Sequence, residues 1–184
     1  MATGIAVAIN LLNSRLVLCT ATSLGGGSLA QPATVWGCTN CFFSFCSFTN
    51  SGSGKGAYTT QQFNTFYDCL LQSDGDTLQG ESNTGLEGKF VNCDIISLSA
   101  NGVDLNGASD NVLIEGGKIA GGTNCVILTA NTIRAASTTN IIKDVRMYAG
   151  SGNIFSEPTY NGSDLGILLS INNTYNKAFA PTAK

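Results

Sequence analysis

Phe43-Ser44-Phe45-Cys46-Ser47-Phe48, Phe66-Tyr67-Asp68-Cys69-Leu70-Leu71 and Phe90-Val91-Asn92-Cys93-Asp94-Ile95 are copies of one six-residue phrase. Weaker copies follow at Ile114-Glu115-Gly116-Gly117-Lys118-Ile119 and Ile142-Lys143-Asp144-Val145-Arg146-Met147, and an earlier one stands at Leu16-Val17-Leu18-Cys19-Thr20-Ala21. The copies start at 16, 43, 66, 90, 114 and 142, giving spacings of 27, 23, 24, 24 and 28 residues. A phrase that returns at such a period marks a chain of stacked, similar units.

The phrase reads large apolar, any residue, bend residue, small, any residue, apolar. Its first and sixth positions are five apart, so one straight strand would point them to opposite faces. The third position resolves the conflict, because Asp68, Asn92, Gly116 and Asp144 tolerate the left-handed backbone. A bend there turns both apolar residues to one interior. Leu18 and Phe45 break the rule, so the first copies are expected to bend less sharply or elsewhere.

A second set of short strands fits between the copies, at Thr77-Leu78, Val103-Asp104-Leu105 and Val126-Ile127-Leu128. Turn residues punctuate them, as in Ser73-Asp74-Gly75-Asp76 and Ser99-Ala100-Asn101-Gly102. Strands of this length, repeated every ~24 residues, predict an all-β chain wound as a parallel β-helix of about six or seven rungs. At ~4.8 Å per rung the column is on the order of 30 Å tall. The crossover preference makes it right-handed. Residues 1–35 are expected to form an arm or cap that can include the first rung, 36–154 the β-helix, and 155–184 a C-terminal cap and tail. Residues 5–18 make the best helical stretch, as a terminal cap or arm.

Composition narrows the function. The 184 residues carry 9 Lys+Arg against 12 Asp+Glu, a net charge of −3, so no basic surface exists to displace phosphate counterions. Nucleic acid is therefore not an expected partner. With 43% hydrophobic residues and scarce charge, the chain is not disordered. It has no His, which removes Ser-His-Asp and Cys-His catalysis and His-ligated zinc. No apolar window reaches ~18 residues, so no membrane helix is expected. The apolar run at residues 4–12 lacks a basic segment before it, which argues against a signal peptide. The odd count of 7 Cys reads as reduced, buried thiols rather than a disulfide framework.

The segments Asn64-Thr65-Phe66-Tyr67-Asp68-Cys69, Lys89-Phe90-Val91-Asn92-Cys93-Asp94-Ile95 and Asn111-Val112-Leu113-Ile114-Glu115-Gly116-Gly117-Lys118-Ile119 resemble rungs of right-handed parallel β-helix proteins. That group includes pectate-lyase-like enzymes and bacteriophage tailspikes. The resemblance covers roughly residues 40–150 and implies a fold that hosts lyases, hydrolases and purely structural virion parts. Tailspike-like members associate as trimers, and lyases of the group use a cation with calcium-bound acids.

Each candidate site has a structural reading beside its functional one. Cys46, Cys69 and Cys93, with Cys19, share one slot, and with Cys38-Thr39-Asn40-Cys41 they could suggest a thiolate metal site. Stacked rungs do not converge tetrahedrally, so the slot reads better as small buried side chains, and no metal or other cofactor is expected. Phe43, Phe66 and Phe90 should stack as core. Asp94, Glu115 and Lys118 are the best catalytic wager, yet Asp94 with Lys118 and Glu115 with Lys143 also fit cross-rung ion pairs. Residues 52–56 only imitate a P-loop, and the acids around 74–81 and 104–110 only imitate calcium loops.

Tyr67, Leu70 and Val91 are apolar at outward positions and are the candidate oligomer interface. The expectation is a non-enzymatic structural protein of a bacteriophage virion surface: a capsid decoration (cement or head-fibre) protein or a short tail spike. It would be made in the host cytoplasm and assemble as a homotrimer on the major capsid protein or another virion protein. Host glycan is a further candidate partner; a membrane is not. The competing reading is a polysaccharide lyase or glycoside hydrolase, which needs paired acids. A passive glycan or ice binder fits less well, since the Thr residues do not repeat with the rungs.

Overall fold

A computed structural model describes residues 8–9, 11–23, 35–36, 38–51, 58–59, 63–79, 86–105, 109, 111–127, 139–156 and 167–176. The described residues form strands and turns without a helix; of the stretch 5–18, expected as the best helical one, residues 8–9 and 15–17 are strands, and residues 5–7 and 10 lie outside the described residues. The chain winds through three strands per coil. The first coil has β1 (Ala8–Ile9), β2 (Arg15–Val17) and β3 (Thr20–Ser23). The second has β4 (Val35–Trp36), β5 (Phe42–Ser44) and β6 (Ser47–Asn50), and the third β7 (Tyr58–Thr59), β8 (Thr65–Tyr67) and β9 (Leu70–Ser73). Next come β10 (Leu78–Gln79), β11 (Gly88–Val91) and β12 (Asp94–Ser97), then β13 (Val103–Asp104), β14 (Val112–Glu115) and β15 (Lys118–Gly121). The last two coils contain β16 (Val126–Ile127), β17 (Thr139–Lys143) and β18 (Arg146–Ala149), then β19 (Phe155–Ser156), β20 (Ile167–Ile171) and β21 (Thr174–Asn176).

Each strand pairs in parallel with its equivalent in the next coil, which makes three sheets of seven strands. The first sheet runs from β1 to β19, the second from β2 to β20 and the third from β3 to β21. The chain is therefore a parallel β-solenoid with a period of about 24 residues. The register is the one the phrase implies: Phe43 opposes Phe66, Phe66 opposes Phe90, and Phe90 opposes Ile114. Of the expected terminal regions, residues 1–7, 10, 24–34, 157–166 and 177–184 lie outside the described residues. Residues 52–56, Glu81, Asp110 and Leu128 do too.

The core lies between the three sheets, with Leu78, Val103 and Val126 of the first sheet buried in it. Phe43 and Phe66 stack with ring centroids 4.7 Å apart and planes 13° from parallel; Phe66 and Phe90 stack at 5.1 Å and 7°. Phe48 meets the Phe43 ring edge-on at 5.5 Å. Leu71, Ile95, Ile119 and Met147 continue the third-sheet side of this interior, all fully buried. The sixth position of the phrase thus faces the same core as the first. At the inner corner after the third sheet, buried hydroxyls replace apolar groups. Ser73 Oγ and Thr77 Oγ1 share a hydrogen bond of 2.9 Å, and Thr77 Oγ1 donates to the Ile96 carbonyl at 2.7 Å. Satisfied in this way, they cost little to bury.

The bend between the second and third sheets lies at the same place in all seven coils. Leu18, Phe45, Asp68, Asn92, Gly116, Asp144 and Asn172 have φ of 55, 53, 50, 52, 67, 56 and 52°. The expectation that Leu18 and Phe45 relax or shift the bend is overturned. Their N–H groups donate to the next coil, Leu18 to the Ser44 carbonyl at 3.1 Å and Phe45 to the Tyr67 carbonyl at 3.0 Å. Those interstrand bonds outweigh a left-handed conformation that costs an L-residue roughly 1–2 kcal/mol.

Candidate functional site

The catalytic wager is separated by the fold. Asp94 and Lys118 sit opposite each other on the third sheet, with Lys118 Nζ 3.5 Å from Asp94 Oδ2. Glu115 lies on the second sheet, where its Oε1 is 2.9 Å from Lys143 Nζ. The Gly116-Gly117 corner stands between Glu115 and Lys118, so the two carboxylates face different directions, each neutralised by its own lysine. Such partly exposed pairs are worth a few tenths of a kcal/mol. Arg146, opposite Lys118, turns its Nε to the Gly117 carbonyl at 3.5 Å.

The cysteine slot follows the corner directly, and Cys46, Cys69 and Cys93 are buried in it. Their thiols donate to carbonyls of their own coil: Cys46 to Ser44 at 3.2 Å, Cys69 to Tyr67 at 3.3 Å and Cys93 to Val91 at 3.4 Å. All seven cysteines are free thiols. Hydrogen bonding from Cys93 lowers the Cys69 thiol against the opposing effect of burial. Cys93, tied to Cys69 and buried, is pushed up. Burial drives Cys38 up to about 11 and Cys125 to about 12. Among the described residues no three His, Cys, Asp or Glu side chains gather as metal ligands would.

An apolar ridge is the feature that buried packing leaves unexplained. Leu18 is 78% exposed and Phe45 55%, both at the left-handed corner where other coils carry Asp, Asn or Gly. Val17 and Tyr67 flank them, and the Phe45 ring meets Tyr67 edge-on at 6.3 Å. Beyond them on the second sheet, the Arg15 guanidinium lies 5.3 Å over the Phe42 ring. Leu12 and Phe63 expose further apolar surface on the sheet's other flank. Tyr67 and Val91 are neighbours on this sheet, whereas Leu70 lies around the Asp68 corner on the third. The three residues singled out from sequence therefore do not share one face. Leu18 and Phe45 do not read as a surface in the sequence, because their copies are expected to bend less sharply or elsewhere; the signal is their occupancy of the bend position.

Side-chain amides were also missed. Asp76 Oδ1 accepts from Asn101, Asn101 Oδ1 from Asn124, and Asn124 Oδ1 from Asn153, along the corner before the first sheet. Asp76, one of the calcium-loop lookalikes, is thus the end of a hydrogen-bonded ladder. Inside the column, Asn64 Oδ1 accepts the Cys41 N–H at 2.8 Å while its Nδ2 donates to the Cys38 carbonyl at 2.6 Å. Asn140 does the same for Val112 and Ser109. These amides satisfy backbone groups where the sheets are interrupted.

Compared with protein-family models, curated proteins and solved structures, the chain matches none.

Proposed function

We propose that the chain is a non-enzymatic structural protein of a bacteriophage virion surface, a capsid decoration or head-fibre protein or a short tail spike, assembling as a homotrimer. The observation that carries this reading is a hydrogen-bonded column with an exposed apolar ridge on one corner. A stacked solenoid resists bending because each inner coil is bonded to the coils on both sides, and contiguous exposed apolar surface marks a place of association. The rung-like segments resemble tailspikes and pectate-lyase-like proteins, which supplies the virion part of the proposal. The major capsid protein or another virion protein is the proposed anchor, and a host glycan the proposed outer contact.

Three measurements test it. The purified chain should have three times its single-chain mass in sedimentation equilibrium. It should co-sediment with phage capsids or tails, and it should release no reducing sugar or unsaturated product from host polysaccharide. Sugar release that is lost on replacing Asp94 or Glu115 would overturn the proposal in favour of a polysaccharide lyase or hydrolase.

A further inference from the structure

The corner between the second and third sheets changes chemistry along the column. In coils one and two it is Leu18 and Phe45; in later coils it is Asp68, Asn92, Gly116, Asp144 and Asn172. All seven corner residues are left-handed, so the backbone does not call for the apolar pair. Water does not favour them either, since both are more than half exposed. We propose that copies of this chain contact one another through the Leu18–Phe45 ridge, so that the assembly is joined at the first coils and parts at Asp68. This rests on the homotrimer reading and supplies its contact.

Symmetry favours copies of the same chain as the occupant. An axis parallel to the column sets each corner residue against its own counterpart at the same height. Leu18 and Phe45 can pack that way. Asp68, one coil further on, would bring like charges together, which ends the contact there. The area is adequate. From their fractional exposures, Val17, Leu18, Phe45 and Tyr67 leave on the order of 400 Å² open along the ridge, and Leu12 and Phe63 across the same second-sheet face bring the open surface to on the order of 600 Å². That approaches the ~600–800 Å² each partner contributes to a stable interface. With the ridge at the axis, the second-sheet face bearing Tyr67 turns toward the neighbouring copy.

The corner itself supplies a test that need not unfold the column. Asp and Asn already occupy this backbone position in other coils, so the full-length Leu18→Asn/Phe45→Asp chain should fold at least as stably as wild type at low concentration. Its mass should fall threefold, to one chain, with an unchanged β-sheet circular dichroism spectrum. A Leu18→Cys chain treated with diamide should cross-link into covalent dimers, and a Tyr148→Cys chain should not. If wild type is a trimer but the double variant keeps its mass, the ridge is not the contact and the homotrimer reading survives. If the Leu18→Cys chain does not cross-link, the ridge contact falls as well. If wild type itself is a monomer at micromolar concentration, the homotrimer reading fails, and this inference with it.

Discussion

Asn101 donates twice to the Asp76 carboxylate, through its backbone N–H at 2.9 Å and its Nδ2 at 2.7 Å. It then accepts from Asn124 in the next coil with its own Oδ1, the Nδ2 contact being 3.0 Å. From Asp76 to Asn153 the corner before the first sheet is therefore secured by side chains where the strands are shortest.

Replacing Asn101 by Ala removes both directions of this exchange and strands partly buried groups on Asp76 and Asn124. The expected cost is about 1–3 kcal/mol in urea unfolding. Asp76→Asn keeps an acceptor oxygen in place and should cost less than about 1 kcal/mol. Equal losses for the two variants would contradict the ladder.

Phe66 is sandwiched between Phe43 and Phe90, and its truncation should be the most damaging of the ring substitutions. Phe66→Ala is expected to lose about 3–5 kcal/mol of stability, and Phe66→Leu distinctly less. Phe66→Asp should leave no folded protein, since its charge would be buried without a partner. A soluble, native-like Phe66→Asp chain would refute the central position of this ring.

Gly117 occupies the slot that holds Cys46, Cys69 and Cys93 in earlier coils, but with φ of 73°. A Cβ there would run into the backbone carbonyl and N–H of Cys93. Gly117→Ala should therefore destabilise by about 2 kcal/mol or more, combining left-handed strain with backbone overlap. A thermal melt within a degree of wild type would show that the coil can move aside.

Alkaline pH should weaken the fold. Cys38 and Cys125 ionise near 9 when unfolded but are raised to about 11 and about 12 by burial. Their contribution is fully present below pH 9, where both states are protonated. Between pH 9 and about 11 the unfolded chain loses protons that the folded chain keeps, so stability falls, by up to about 1.4 kcal/mol per pH unit for each thiol. Urea midpoints from pH 8 to 10.5 should decline, and Cys125→Ala should decline less steeply. Parallel slopes for the two proteins would exclude Cys125 as a source.

The stacked rings and the buried cysteine slot were legible because they rest on local facts: a six-residue phrase, a short period, and bend residues that force a turn. Leu18 and Phe45 were not legible as corner residues. Nothing in either side chain favours a left-handed backbone, so their sequence predicts a bend that is less sharp or elsewhere. The Asp76–Asn101–Asn124–Asn153 ladder was hidden for the opposite reason. Ser, Thr and Asn number 54 in this chain, so amides at turns carry little information singly, and only their alignment in space distinguishes these.

Sequence by itself determined the winding: which residues face inward, roughly how long each coil is, and that coils stack in parallel. Burial of alternating apolar side chains is a local preference repeated often enough to read. Tertiary structure alone decided that an apolar ridge stands on one corner, that Leu70 turns away from Tyr67, and that Glu115 and Asp94 never meet. Those outcomes follow from hydrogen bonds between coils, which impose a left-handed residue at the same corner in all seven whatever side chain a given coil supplies.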